Sequence, residues 1–404
     1  MSLGFTMTAG GITSARGFRA AGVAAGLKKT KPDLALIVAD TPATIAGVFT
    51  TNSLAAAPTQ LCRELLAARS PARAIIINSG NANACTGPNG LRDARRMGKL
   101  TAELLSVEAS EVFVCSTGTI GRPLPMDRVE AGIRLAVAAL TADGGNEAAL
   151  AILTTDTKPK QVAAQLEIDG RTVTIGGMAK GSGMIHPNMA TLLVFLTTDA
   201  VVEAQALQTC LAKAVNKSFN RISVDGDQST NDTVLFLANG SAGNAPLGLK
   251  HPRWNFFCRA VAALTNELAR QIVKDGEGAT KLVTVTVARA PSARAAEKIA
   301  RAVANSLLVK TSWFGADPNW GRVMGAIGYA GVKINPELID IAYDGQTAVR
   351  GGQGAGVPPE KLQAILAKPE FAVEIDLHSG SARYSMTTCD CSLEYVRINA
   401  SYMT

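Results

Sequence analysis

Histidine is scarce: three residues in 404, His186, His251 and His378, leave little material for a histidine-based metal centre or catalytic triad. The seven cysteines, an odd number, stand at 62, 85, 115, 210, 258, 389 and 391, without the paired spacings of a zinc site. Cys389-Asp390-Cys391 is the one close pair and lacks the remaining ligands, so no metal is expected. Free thiols in a reducing, cytoplasmic compartment fit this usage. Aromatic residues make up only 5%, too few for a base-stacking platform. Lys and Arg exceed Asp and Glu by 40 to 33, but they are scattered and form no run of five or six like charges. That excludes a nucleic-acid partner and fits a mildly cationic enzyme that attracts small anions. No apolar run approaches the roughly 18 residues of a membrane span, so no membrane partner is expected. The phosphate-loop pattern GxxxxGK[ST] is absent, and no GxGxxG follows a strand and opens a helix. Residues 1–32 carry no acid but do carry Arg16, Arg19, Lys28, Lys29 and Lys31, which imitates a mitochondrial presequence. Glycines interrupt any amphipathic helix there, and we read the segment as mature protein.

What is present is a globular chain, 47% hydrophobic and 18% charged, long enough for two lobes or one large domain. Thirty-eight glycines imply many tight turns and close backbone approaches. "LALIVAD" and "ATIAGVFTT" read as two strands with a break at Asp40 to Pro42. "RAIIINSGNANACTGPNG" and "EVFVCSTGTIG" repeat one device, a buried-type strand (Ala74 to Ile77, Val112 to Cys115) that opens into a loop of small residues. Backbone N–H groups in such a loop can face a ligand. "MDRVEAGIRLAVAAL", "EAQALQTCLAKAVNKSF", "WNFFCRAVAALTNELARQIV" and "SARAAEKIARAVANSLLV" have helical periodicity. "AILTTDTKPK" reads as a strand with a polar tip, and "QLEIDGRTVTIGGMAKGSG" as a hairpin through Asp169-Gly170. "KLVTVTV" and "FAVEIDL" alternate as strands. Strands and helices come in blocks, which predicts an α/β (α+β) fold of layered mixed or antiparallel sheets flanked by helices.

One stretch raises a chemical question. "AKGSGMIHPNMATLLVFLTTDA" runs through small and kinked residues to Thr191, where a continuous apolar strand begins. By residue type alone, a threonine opening a buried strand is structural. A threonine at a chain start is different, because its own α-amine can take the hydroxyl proton near neutral pH. That amine exists only if the chain cuts itself before Thr191, through hydroxyl attack on the preceding carbonyl. Such a step needs a distorted peptide and an oxyanion hole. Gly176, Gly177, Gly181 and Gly183 permit unusual backbone angles, Pro187 fixes one, and Ala190 adds no bulk. Ser116-Thr117-Gly118 offers a hydroxyl and an N–H. His186 is tempting as a base, but Pro187 follows it directly and we set it aside. Asp225 and Asp227 look like a carboxylate pair, yet "SVDGDQSTNDT" reads as a turn rather than a metal site.

"KGSGMIHPNMATLL", together with "STGTIG", "TTDTKPK", "SVDGDQSTNDT", "KDGEGATK", "DPNWGR" and the ending "YVRINASYMT", resembles the ornithine acetyltransferase (glutamate N-acetyltransferase) family of bifunctional arginine-biosynthesis proteins. The motifs keep the same order and cover essentially the whole chain. The resemblance implies a self-processing N-terminal-nucleophile fold of the ornithine acetyltransferase/DmpA-like superfamily. It implies cleavage between Ala190 and Thr191 into chains 1–190 and 191–404, associated as α2β2 in the cytoplasm. Thr191 then takes acetyl from N2-acetylornithine and passes it to glutamate. No separate cofactor is needed, and acetyl-CoA is an alternative donor in some members. Thr117 and Gly118 match the oxyanion position; Thr154, Lys180, Glu277, Asn399 and Thr404 match substrate contacts. Lys180 suits an α-carboxylate, and Glu277 the ornithine side-chain ammonium. Two rivals are weighed: a self-processed amidohydrolase or aminopeptidase, with water as acceptor, and a non-enzymatic binder of small anions.

Overall fold

The structure is a computed structural model that describes residues 4–186 and 192–401. Ala190, Thr191 and Thr404 lie outside the described residues. Nine strands form the first sheet: β1 (Thr6–Thr8), β2 (Phe18–Val23), β3 (Leu34–Phe49), β4 (Ala72–Asn81), β5 (Val112–Thr119), β6 (Lys160–Ile168), β7 (Arg171–Lys180), β8 (Leu193–Thr198) and β9 (Thr233–Ala238). Their spatial order is β1-β6-β7-β8-β9-β3-β4-β5, with β2 also on β3. Sequence reading splits β3 into two strands, whereas the structure has one, sixteen residues long. Asp40, Thr41 and Pro42 are exposed at its middle and pairing shifts there. Up to this point β3 pairs with β2 and β4, the latter pairing reaching Ala43; from Thr44 it pairs with β9. The expected break is thus a crossing between two half-sheets.

The halves lie face to face. Ile37, Ile75, Ile77 and Phe113 of one half share a core with Met178, Leu193, Phe195 and Leu237 of the other. The opposite faces are covered by helices. Leu36, Ile76 and Val114 meet helices Gly87–Leu105 and Met126–Ala138. Val194, Leu196 and Phe236 meet Ala204–Lys217 and Trp254–Lys274. Four layers result, helices outside and sheets inside, as the sequence reading expects. All six residues of β8 are buried, which is why its sequence is apolar without alternation. It runs antiparallel to β7 and parallel to β9.

The hairpin between β6 and β7 turns at Asp169 (φ 51°) and Gly170 (φ 70°), as expected of Asp-Gly between antiparallel strands. The second sheet contains β10 (Leu282–Ala290), β11 (Asp340–Tyr343), β12 (Gln346–Arg350), β13 (Gln353–Gly354), β14 (Glu370–Asp376) and β15 (Ala382–Cys389), in the order β13-β12-β11-β14-β10-β15. It builds its own core around Trp313, Ile299, Val285 and Val373.

Two further expectations are corrected. "SARAAEKIARAVANSLLV" is not one helix but two, because Ser306 caps a new helix by accepting from the Val309 N–H. "AILTTDTKPK" is not a strand: helix Gly145–Ala151 ends within it, and the Asp156 carboxylate takes the Thr154 N–H (3.0 Å) that a strand would pair.

Candidate active site

The end of β5, parallel to β4, makes the first wall. Gly118 pairs with Gly80 and has φ 130°; a Cβ there would lie 2.4 Å from the Gly80 carbonyl carbon. Only glycine permits that approach. The loop after β4 does not itself line the pocket but braces β5 from behind. Asn78 accepts from Ser116 Oγ (2.6 Å), and Asn231 Nδ2 donates to the carbonyls of Ser116 (2.8 Å) and Ala82 (2.7 Å). Thr117 and Gly118 are thereby held where a hydroxyl and an N–H can meet an anion.

Lys180 ends β7, paired with Leu193 of β8, and is buried. Burial lowers its pKa below the ordinary lysine value; Asp156 opposes this, Lys160 adds to it, and Glu277 and Asp232 oppose it again. Gly181 and Gly183 continue the chain. The Glu277 carboxylate presses on Gly183 so closely that a Cβ there would sit about 2.4 Å from it. Glu277 is 6% exposed, donates its own N–H to the Ser182 carbonyl (3.0 Å) and accepts from Asn399 Nδ2 (2.8 Å). Gly176 and Gly177 play no such part. They lie inside β7, where a Cβ would strike the Gly11 carbonyl in one case and Leu196, Leu264 and Leu268 in the other. They serve packing rather than the distorted peptide expected of them.

Six residues singled out from sequence, Thr117, Gly118, Thr154, Lys180, Glu277 and Asn399, line one pocket. They come from β5, the loop after Gly145–Ala151, β7, the segment after Trp254–Lys274 and the C-terminal helix Leu393–Ser401. The pocket is lined by one lysine, Lys180, and by the acids Glu277, Asp225 and Asp227. Such a layout suits a small molecule with a carboxylate and an ammonium. Asp225 accepts from the N–H groups of Met184 (2.5 Å), Ile185 (2.9 Å) and Asp227 (3.1 Å), and burial pulls its pKa up to about 6. It is the turn expected of this motif. Among the described residues no group of His, Cys, Asp and Glu could hold a metal ion. No described helix is long and apolar enough to cross a membrane.

A model of the ArgJ family matches residues 19–404. The chain belongs to the ArgJ family. It is 50% identical over 399 residues to the arginine biosynthesis bifunctional protein ArgJ of Symbiobacterium thermophilum, covering 98% of this chain and 99% of that one. A protein of that name in Bacillus cereus is 46% identical over 395 residues, 98% of this chain and 97% of its own. A crystal structure of the Bacillus halodurans ArgJ protein is 42% identical with TM-score 0.50, covering 52% of this chain and 98% of that one.

As a member of the ArgJ family the chain is an enzyme. Sequence reasoning missed Asn231 of the pocket wall and two residues buried close to the site, Asp156 and Asp232. Asp156 stands inside the quoted "TTDTKPK", and Asn231 and Asp232 inside "SVDGDQSTNDT", but neither motif says which members turn inward. Asp232 is buried, accepts from the Leu192 N–H (3.0 Å) and has a pKa raised well above the usual by burial, against the pull of that N–H and Lys180. It therefore stands beside the residue that follows Thr191. Tyr395 lines the pocket, its hydroxyl kept neutral by burial and by Asp225 and Glu277. His186, the residue set aside as a base, is half-buried, and its pKa is lowered by burial and Arg301.

Proposed function

We propose that this ArgJ-family chain cuts itself between Ala190 and Thr191, and that Thr191 then carries acetyl from N2-acetylornithine to glutamate. The observation that carries the reading is the convergence of Thr117, Gly118, Thr154, Lys180, Glu277 and Asn399 on one pocket at the end of β8 that follows Thr191. The names of the relatives, arginine biosynthesis bifunctional proteins, support it.

In the first half-reaction the Thr191 hydroxyl attacks the acetyl carbonyl while its α-amine takes the hydroxyl proton. The carbonyl oxygen becomes an oxyanion, held by Thr117 and the Gly118 N–H. The α-ammonium returns the proton to the departing nitrogen, and ornithine leaves with acetyl on the Thr191 oxygen. Glutamate's amine then attacks this ester, and the same groups act in reverse order. Lys180 receives the substrate α-carboxylate; Glu277, oriented by Asn399, receives the ornithine side-chain ammonium. Thr154 and the terminal Thr404 complete the binding set. The acyl ester conserves the amide's transfer potential, so no cofactor is required. Acetyl-CoA is a second donor to be tested, and an α2β2 assembly in the cytoplasm is part of the same proposal.

The test has two arms. Wild-type protein should run as fragments of 190 and 214 residues, and Thr191→Ala as one uncut chain. Ornithine release from acetylornithine should depend on glutamate, with acetyl found on Thr191 when glutamate is withheld. An uncut yet active wild type defeats the nucleophile assignment. Equal ornithine release with and without glutamate points to a hydrolase instead.

A further inference from the structure

Behind the pocket runs a buried chain of charges that the proposed reaction does not use. Asp156 is completely enclosed. Its Oδ1 accepts from the Gly181 N–H (2.7 Å) and from Lys160 Nζ (2.6 Å), and its Oδ2 from the Thr154 N–H (3.0 Å). Lys160, equally buried at the start of β6, reaches on to Asp275 Oδ2 (2.6 Å) and the Lys158 carbonyl (3.3 Å). Asp275 accepts from the Thr157 N–H (3.0 Å), and its carbonyl accepts from Ser182 Oγ (2.6 Å). Three segments distant in sequence are thus tied together: the loop bearing Thr154, the end of β7 bearing Lys180, and the two residues before Glu277.

We propose that Asp156, Lys160 and Asp275 form the positioning device of this pocket, which fixes Thr154, Lys180 and Glu277 relative to one another and sets a buried carboxylate close to Lys180. The inference rests on the reading of Lys180 as the carboxylate partner.

The charge arithmetic supports it. A buried cation survives only if nearby opposite charge offsets its lost hydration. Among the described residues Lys180 lies within electrostatic reach of Asp156, Glu277 and Asp232 on the acidic side and of Lys160 and Lys28 on the basic side. Asp156 is the strongest of its partners. Burial works against the Asp156 charge, yet Lys180, Lys160 and the Gly181 N–H outweigh it and hold that carboxyl well below the usual range. Lys160, clamped between two aspartates, prevents Asp156 from turning away. The pocket can therefore present a desolvated ammonium to a carboxylate without a rearrangement when substrate binds.

The experiment is a double-mutant cycle on the full, self-processed enzyme: Asp156→Asn, Lys180→Met and both together. Asp156→Asn should raise the acetylornithine KM about tenfold or more. It should also move the alkaline limb of kcat/KM to lower pH by about one unit, since loss of the anion lets Lys180 release its proton earlier. In the Lys180→Met background, Asp156→Asn should raise KM much less. An unmoved alkaline limb, or equal KM effects in both backgrounds, overturns the proposal. Should Asp156→Asn fail to fold, Asp275→Asn at the outer end of the chain is the substitute. A raised KM that Lys160→Arg does not reproduce supports the device, and an unchanged KM overturns it. If Lys180→Met alone leaves KM unaltered, it is the carboxylate assignment that has failed, not the charge chain.

Discussion

Replacing Gly118 by alanine separates two costs that this site imposes on one residue. At φ 130° an L side chain is strained, by about 1–3 kcal/mol for backbone held in such regions. The added Cβ would also lie 2.4 Å from the Gly80 carbonyl carbon, 2.6 Å from the Asn81 nitrogen and 2.7 Å from the Gly80 Cα. These are main-chain atoms of a paired strand, so β4 and β5 must separate, an overpacking penalty of roughly 1–3 kcal/mol more. The sum, about 2–6 kcal/mol, is a large part of the ~5–15 kcal/mol that folding typically provides. Catalysis should suffer further. If the Gly118 N–H points at the oxyanion, withdrawing it costs about 10²–10³ in kcat. Gly121→Ala is the control: φ there is 80°, but nothing lies within 4 Å of the added methyl, so only strain remains. We predict a clearly lowered melting temperature and a kcat reduced at least a hundredfold for Gly118→Ala, against a small thermal shift and retained kcat for Gly121→Ala. Thermal unfolding and ornithine release measure both. Equal behaviour of the two variants, or a Gly118→Ala protein with native kcat, refutes the argument.

Other predictions test separate parts of the structure. Asn399→Ala removes the donor 2.8 Å from Glu277 Oε2; it should raise the acetylornithine KM about tenfold or more, since one hydrogen bond to a charged group is worth about 1.5 kcal/mol or more, and unchanged kinetics would remove Asn399 from the site. Asp225 titrates near pH 6 in the folded protein, above the unfolded value of 3.8. Its contribution to stability is full below about pH 4 and lost as pH rises through about 6, up to about 3 kcal/mol. Melting curves of Asp225→Asn between pH 4 and 7 should therefore fall less steeply than the wild type's, and parallel curves would contradict the assignment. Lys310 is buried and donates to Thr388 Oγ1 (3.2 Å) and to the Cys389 carbonyl; Lys310→Met should cost roughly 1–3 kcal/mol by leaving buried acceptors unpaired, read by urea unfolding.

The layered fold was legible where local chemistry is decisive. Asp169-Gly170 named its own turn, and the unbroken apolar run of β8 announced a strand covered on both faces. The site was legible only through motifs taken together, because Thr117, Lys180 and Glu277 are unremarkable residues until long-range pairing joins them. Three features escaped. Asp40 to Pro42 carries every mark of a strand end, yet the chain crosses between half-sheets there without stopping, since exposed backbone at a crossing obeys the same rules as a turn. "AILTTDTKPK" opens on an apolar run that reads as a strand with a polar tip, but the Asp156 side chain claims the Thr154 backbone donor. Ser306 divides one amphipathic pattern into two helices because apolar spacing continues across the cap.

The order of the first sheet governs what cutting before Thr191 would do. Strands β8 and β9 belong to the later part of the chain, yet they sit between β7 and β3 of the earlier part. Scission there severs a covalent link without creating two bodies: the earlier product flanks the β8–β9 pair on both sides, and the later one fills the gap between β7 and β3. Separating them would demand opening the shared sheet along both β7–β8 and β9–β3, so the two products would stay joined for as long as that sheet stands.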